Sequence, residues 1–473
     1  MTSKSDSSAK PSKVETIKVA SDFLRGTILE GLADDSTGAI SADDTQLSKF
    51  HGIYQQDDRD IRKERMREKL EKAFIFMCRI AVPSGVVMPE QWLVMDRIAD
   101  DTANSTLKIT TRQAFQLHGI IKSELKRTIR EINECLLTTL SACGDVNRNV
   151  LGAANPFESR LHEQVWNVSK SISDHLKPRT RAYHEIWLDG EKVVGAEDDE
   201  PIYGKTYLPR KFKIAVAVPP RNDVDVFYND LGFIAIEENG VLAGFNVTVG
   251  GGFGMTHGKP ETYPRLADLI GFCRPEQVVE VAEKVVLVQR DHGDRSNRRH
   301  ARLKYTIDDH GIDWFKDELQ EYLGWDLESP KGFAFDSMAD PYGWVEGLDG
   351  LWYYTLFAEG GRIRDHEGRN LKSALREIAK SHQGDFRLTA NQNLVLGQVT
   401  EEAKPRISRI LSDHGAGDAH EGSGLRLNSI SCTAMPTCGL ALAEAERYLP
   451  DLVTALEVET EDCGLLADEI VIR

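Results

Sequence analysis

The chain has 473 residues, enough for about three domains and a large core. Its formal charge of −17 excludes a general nucleic-acid or anionic-membrane surface, since those are bound through faces rich in Lys and Arg. No apolar run is long enough to span a bilayer, the start MTSKSDSSAKPSK lacks the apolar centre of a secretory signal, and seven cysteines are too few and odd for a disulfide framework, so a cytoplasmic protein is expected.

Residues 1–64 are rich in Ser, Asp and Gly with weak periodicity and read as an arm that docks on the rest. The charged stretch QQDDRDIRKERMREKLEKAF predicts a helix. FIFMCRIAV, from Phe74, predicts a buried strand. The turn PSG, a helical stretch and a second strand over LKITTRQAFQLHGI follow, then another helix in SELKRTIREINECLLTTL. Residues 157 to about 335 predict an α+β domain with strands in FKIAVAVP, FIAIEENG and VLAGFNVTVGGGFG. The glycines of GGGFGMTHG lack dinucleotide-fingerprint spacing; they turn a hairpin or let the backbone approach a flat ligand.

A second copy of the first module lies downstream. LKITTRQAFQL (107–117) aligns with FRLTANQNLVL (386–396), AVPSGVV (81–87) with FAEGGRI (357–363), and GAANP (152–156) with CTAMP (432–436), at offsets of 279, 276 and 280. This order predicts a duplicated module with 144–337 inserted between halves at 65–143 and 338–416. FIFMCRIAV and WYYTLFAEG are then expected in a common sheet system, with TTRQAF and RLTANQN related by a pseudo-twofold.

Several cations sit in places that ask for a partner. Arg79 lies inside an apolar strand, where an unpaired guanidinium is expensive. In TTRQAFQLHG, strand alternation puts Thr110, Arg112, Gln116 and His118 on one face; a solvated amphipathic strand is the plain alternative. Arg148 adds a cation, and Lys211 and Lys213, two apart at a strand entrance, project to one side and can converge on an anion, unless they are edge lysines that block aggregation. The basic runs YLPRKFK and RDHGDRSNRRHARLK suit an anion pocket or a solvated face. Cys432 and Cys438 form a Cys-x5-Cys pair with a helix expected behind them; the spacing alone is a weak metal signal, and zinc would show tighter pairs.

Taken together, SDFLRGTI, FHGIYQQDDRDIR, TTRQAFQLHGI, GDVNRNVLG, YLPRKFK, GFNVTVGGGFGMTH, RLTANQN and CTAMPTCGLALAEAER resemble the sulfite and nitrite reductase family from about Val19 onward. The resemblance implies an α+β siroheme/iron-sulfur reductase architecture with duplicated ferredoxin-like halves. It also implies siroheme and a [4Fe-4S] cluster as cofactors and six-electron reduction of sulfite to sulfide in cysteine biosynthesis. A flavoprotein (alpha) subunit carrying electrons from NADPH is the implied partner. Arg79, Arg148, Lys211 and Lys213 match the substrate pocket. Arg112, Gln116, His118, Asn149, Arg302, Lys304, Asn391 and Gln392 match cofactor neighbours, and Cys432 and Cys438 match two of four cluster ligands. In the family a Cys-x3-Cys pair follows the next strand. Here DEIVIR is expected as that strand and the sequence stops, so 417–473 is read as a partial cluster-binding domain and the chain as truncated and inactive by itself. A nitrite reductase of the same family, or a non-catalytic tetrapyrrole-binding fragment, are the alternatives.

Overall fold

The computed structural model describes residues 10–155, 159–180, 187–188, 191–192, 200–418 and 420–473. The first nine residues of the arm and Pro156 of GAANP lie outside these.

The arm supplies β1 (Ile53–Asp57), which pairs with the first module, and the first module contributes β2 (Phe74–Ile80), β3 (Val86–Val87), β4 (Leu107–Ile109) and β5 (Phe115–Ile120). The insertion supplies β6 (Leu151–Gly152), β7 (Ile214–Ala217), β8 (Leu231–Glu238), β9 (Val241–Val249) and β10 (Asp268–Cys273). The second module supplies β11 (Gly343–Glu346), β12 (Trp352–Leu356), β13 (Arg362–Ile363), β14 (Asp385–Leu388) and β15 (Leu394–Val399).

These strands form three five-stranded sheets, and the outer two are images of one another. One runs β1-β2-β5-β4-β13 and the other β11-β12-β15-β14-β3. FIFMCRI and WYYTL, expected in a common sheet, therefore lie in separate sheets. The modules are joined by exchanged edges instead: Ile363 of β13 pairs with Leu107, and Val87 of β3 pairs with Phe386. One core fills both sheets, with Trp92 stacked on Phe386 at 4.7 Å and edge-on to Phe115 at 5.6 Å. The helices Pro89–Thr102 and Leu371–Ala379 pack together, and Lys372 and Arg376 of the second bind Asp96 and Asp100 of the first.

The inserted sheet, β10-β9-β8-β7-β6, is mixed: β7 runs parallel to β6 and β8, and the rest is antiparallel. Its other core lies under the helices His162–His175 and Val278–His292. Beyond β9, Gly250 turns at φ +83°, and a Cβ on Gly251 would collide with the carbonyls of Phe227 and Asn229. The glycine run thus closes on the protein's own backbone, with Gly250 N–H donating to Asp230 O at 2.8 Å.

Four local expectations are corrected. QQDDRDIRKERMREKLEKAF is a strand end and one short helix, Arg62–Arg67, because Gln55 and Gln56 pair with β2 and Asp57 binds Arg62. LKITTRQAFQLHGI is a hairpin, not one strand: Thr110 N–H donates to Ala114 O at 3.0 Å and Gln113 adopts φ +47°. Thr110, Arg112, Gln116 and His118 therefore do not share one strand face. No helix directly follows Cys438; the next is Leu449–Asp462, and Leu440 and Leu442, each 92% exposed, have no core on which an intervening helix would pack. DEIVIR makes an isolated parallel bridge, Ile472 with Ser429, rather than a strand.

Candidate functional site

The site lies where the first outer sheet meets the inserted sheet. Arg79 is opposite Gln116 in the β2–β5 register. Its Nη1 donates to Cys143 Sγ at 3.2 Å, and Tyr54 lies with its ring centre 5.9 Å from the guanidinium. With the Gln116 amide oriented to satisfy both groups, its oxygen accepts from Arg79 Nε at 2.9 Å. Arg148 is buried and donates through Nε to Gly144 O at 2.8 Å.

Lys211 and Lys213 flank Phe212, which is wholly buried in the core and held by Phe212 N–H to Val146 O at 3.1 Å. Alternation about that anchor turns both lysines away from the core, as the sequence spacing predicts. Neither ammonium has a hydrogen-bond acceptor among the described residues, although both are half-buried. The acid in their midst is Asp230, fully buried and already bound by Arg302, Nε to Oδ1 at 2.8 Å and Nη2 to Oδ2 at 2.7 Å.

Arg112 stands in the hairpin turn and reaches into the inserted sheet. It donates to Asn149 O, to Ile214 O at 2.7 Å and to Asn229 Oδ1 at 2.6 Å. Burial pushes its guanidinium down, opposed by Asp230 and reinforced by the charges of Arg148, Arg302 and Arg79. Burial, together with the charges of Arg112 and Arg302, lowers Lys213 to about 7. The charge of Lys213 and then burial hold Lys211 well below the usual lysine range. Arg79, Arg112, Arg148, Lys211, Lys213 and Arg302, with Arg210 beside Lys211, thus share one electrostatic neighbourhood in which the carboxylates are Asp230 and, next to Lys213, Asp225. Such an excess is relieved either by loss of a lysine proton or by an anion bound beside it.

The other expected residues are placed differently. His118 is buried and kept neutral by burial and by Arg362, whose Nη1 lies 3.3 Å from His118 Nδ1. Asn149 spends its amide on the carbonyls of Val82 and Arg112, at 2.8 and 2.7 Å. Lys304 fastens the glycine-rich loop by donating to Gly252 O, Gly254 O and Tyr263 O. Asn391 donates to Met338 O and Asp340, and Gln392 grips Ser431. These groups hold backbone rather than open space.

Cys432 is exposed and Cys438 half-buried on a loop held from three sides. Arg59 of the arm donates to Cys438 O at 2.7 Å and Ala441 O at 2.8 Å. Gln392 holds Ser431, and Lys108 Nζ donates to Gly360 O and to Glu446 Oε2 at 2.7 Å. Arg362 completes a buried ion cluster through Glu446 Oε1 at 2.7 Å. Burial would raise Glu446, but bonds from Arg362 and the charge of Lys108 win and take it to about 2. Among the described residues no group of three or more Cys, His, Asp or Glu side chains converges as metal ligands. Two cysteines on one loop are the residue type, and half the number, that a four-cysteine cubane takes. The unpartnered lysines and the cation excess fit a polyanionic tetrapyrrole and a small oxyanion.

Sequence reasoning missed Asp230, Tyr54 and Cys143 of the pocket, and Lys108, Arg362, Glu446 and Arg59 around the cysteine loop. It also missed Gln113, although the aligned repeats carried that signal by setting it against Gln392.

The duplicated sheets and the cation-lined junction define a two-module frame built around an anion site. Family models agree. The nitrite/sulfite reductase ferredoxin-like half domain matches 67–135 and 346–414, and the nitrite and sulphite reductase 4Fe-4S domain matches 167–327. The chain belongs to the nitrite and sulphite reductase family. It is 57% identical over 98% of its length to the sulfite reductase [NADPH] hemoprotein beta-component of Geobacillus kaustophilus, of which it covers 82%. It is 58% identical to the protein of that name from Oceanobacillus iheyensis, again over 98% of this chain and covering 80% of that protein. For Bacillus subtilis the identity is 56%, with 98% and 81% covered. The solved structure of Mycobacterium tuberculosis NirA protein has the same fold, with a TM-score of 0.78, 24% identity, and 98% and 80% of the two chains covered.

Proposed function

We propose that this protein reduces sulfite to sulfide by six electrons as the hemoprotein component of an assimilatory sulfite reductase, with siroheme and a [4Fe-4S] cluster as cofactors. The observation that carries the reading is the cation excess around Asp230, in a chain more than half identical to sulfite reductase hemoproteins along nearly its whole length. When bound, the cofactors would relay electrons from the donor subunit to the substrate.

The protein's own groups do the rest. Arg79, Arg148, Lys211 and Lys213 take the charge of the oxyanion and orient it. Each oxygen that leaves as water needs two protons, and Lys213, lowered to about 7, is a donor poised near neutral pH. An entering anion raises both lysines and so charges them for that transfer. Arg112 and Arg302, already held by Asn229 and Asp230, would contribute positive potential toward the macrocycle's carboxylates. Gln116 holds Arg79, while His118, Asn149, Lys304, Asn391 and Gln392 act through the elements they tie down. Cys432 and Cys438 are cluster ligands.

The electron donor is a flavoprotein (alpha) subunit that draws on NADPH, and the enzyme works in the cytoplasm in cysteine biosynthesis. Among the described residues no helix is long and apolar enough to cross a membrane. The test is turnover, with a reduced viologen dye, by the full-length cofactor-loaded protein that carries all four cluster cysteines. Sulfide formed from sulfite at six electrons each is expected. Ammonia from nitrite with no sulfide from sulfite would overturn the assignment.

A further inference from the structure

The duplication puts a glutamine at the same point of both hairpin turns, and each grips one backbone residue through its amide; Gln392 Nε2 also donates to Ile109 O at 3.3 Å. Gln113 and Gln392 are 279 positions apart. Gln113 Nε2 donates to Gly152 O at 2.8 Å, and Gly152 N–H donates back to Gln113 Oε1 at 3.0 Å. Gln392 Nε2 donates to Ser431 O at 3.1 Å, and Ser431 N–H donates back to Gln392 Oε1 at 3.2 Å. The gripped residues, Gly152 and Ser431, are also 279 apart. Each amide thus imitates a strand neighbour, satisfying both backbone groups of one residue and fixing where that segment lies and which way it runs.

Both glutamines are held in the left-handed region, at φ +47° and +67°, where Gly or Asn would be less strained. A side chain retained at such a position is there to be used. What the two clamps hold differs. The Gly152 segment carries Arg148 and Asn149 into the anion pocket, whereas the residue after Ser431 is Cys432. Lys108 and Arg59 brace the second loop from other elements, so Gln392 is its tie to the second module's own turn.

We propose that Gln113 and Gln392 are paired positioning residues: Gln113 aligns the Arg148 segment with the substrate oxyanion, and Gln392 aligns the Cys432 thiolate with the metal cluster. The second half rests on the reading of Cys432 as a cluster ligand. The duplication has therefore kept one device and assigned it to the two halves of the reaction centre.

The test compares Gln113→Met and Gln392→Met, near-isosteric changes that remove the amide's bonds to Gly152 and to Ser431 respectively (and, in the second, that to Ile109), in the full-length cofactor-loaded protein. Amide exchange should rise about tenfold over 429–438 in Gln392→Met and stay unchanged over 149–155, with the opposite pattern in Gln113→Met. The electron paramagnetic resonance line shape of the reduced cluster should change in Gln392→Met only, and the KM for sulfite should rise in Gln113→Met only. Gln392→Glu, which keeps an acceptor for the Ser431 N–H, should restore most of the protection over 429–438 and serves if the Met variant does not fold. Exchange rising equally in both segments in either variant, or a cluster spectrum identical to wild type in Gln392→Met, would overturn the proposal. Iron content in Cys432→Ser tests the ligand assignment separately: full iron there would refute the assignment and leave the exchange pattern to judge the clamps.

Discussion

The cation pocket and the ion cluster beside the cysteine loop are both buried, both rich in Arg and Lys, and opposite in their accounts of charge. Around the loop, Lys108 and Arg362, whose side chains are 2% and 9% exposed, converge on Glu446 and exhaust it. In the pocket, Asp230 is bound by Arg302, and Lys211 and Lys213 are left without an acceptor among the described residues. Buried cations that share a carboxylate are architecture; cations left without an acceptor mark where a ligand's charge belongs. The two regions should therefore respond in opposite directions to loss of charge.

The largest effect on stability is expected at the Glu446 cluster, where two cations share one carboxylate. Glu446→Gln leaves Lys108 and Arg362 buried without a counter-charge and should cost about 3–5 kcal/mol in urea unfolding. A loss under about 1 kcal/mol would erase the distinction between the regions. The pocket offers a subtler signature in pH. Lys213 is lowered in the folded state to about 7 from an ordinary value near 10.5, so between those values the unfolded chain binds more protons. Its contribution therefore makes the cofactor-free protein gain stability as pH rises through that window. Lys213→Gln should flatten the gain in melting temperature; an unchanged slope would mean that Lys213 is not held in an excess of positive charge. The smallest effect belongs to the exposed pair Arg447–Asp60. Arg447→Ala should leave the melting temperature within error, and a clear drop would show that exposure does not separate the classes.

Much of this contrast was legible in the sequence. The offsets of 276 to 280 gave the duplication because segment order survives divergence, and Phe212 between two lysines gave their common direction because alternation is local. The exchange of β3 and β13 was not legible, since two-residue edge strands carry no periodicity. The hairpin in TTRQA was missed because its left-handed residue is Gln113, where neither Gly nor Asn announces a turn. Glu446 and Asp230 escaped because their partners come from 338 and 72 positions away, and nothing in a lone carboxylate predicts which distant cation will claim it.

The most direct test of the central claim is to remove both unmatched charges at once. In the cofactor-loaded protein carrying Lys211→Gln and Lys213→Gln, sulfite-dependent oxidation of a reduced viologen dye should fall by about 10²-fold or more, while the melting temperature of the cofactor-free protein stays level or rises. Activity within twofold of wild type, or a loss of activity accompanied by a lower melting temperature, would contradict it.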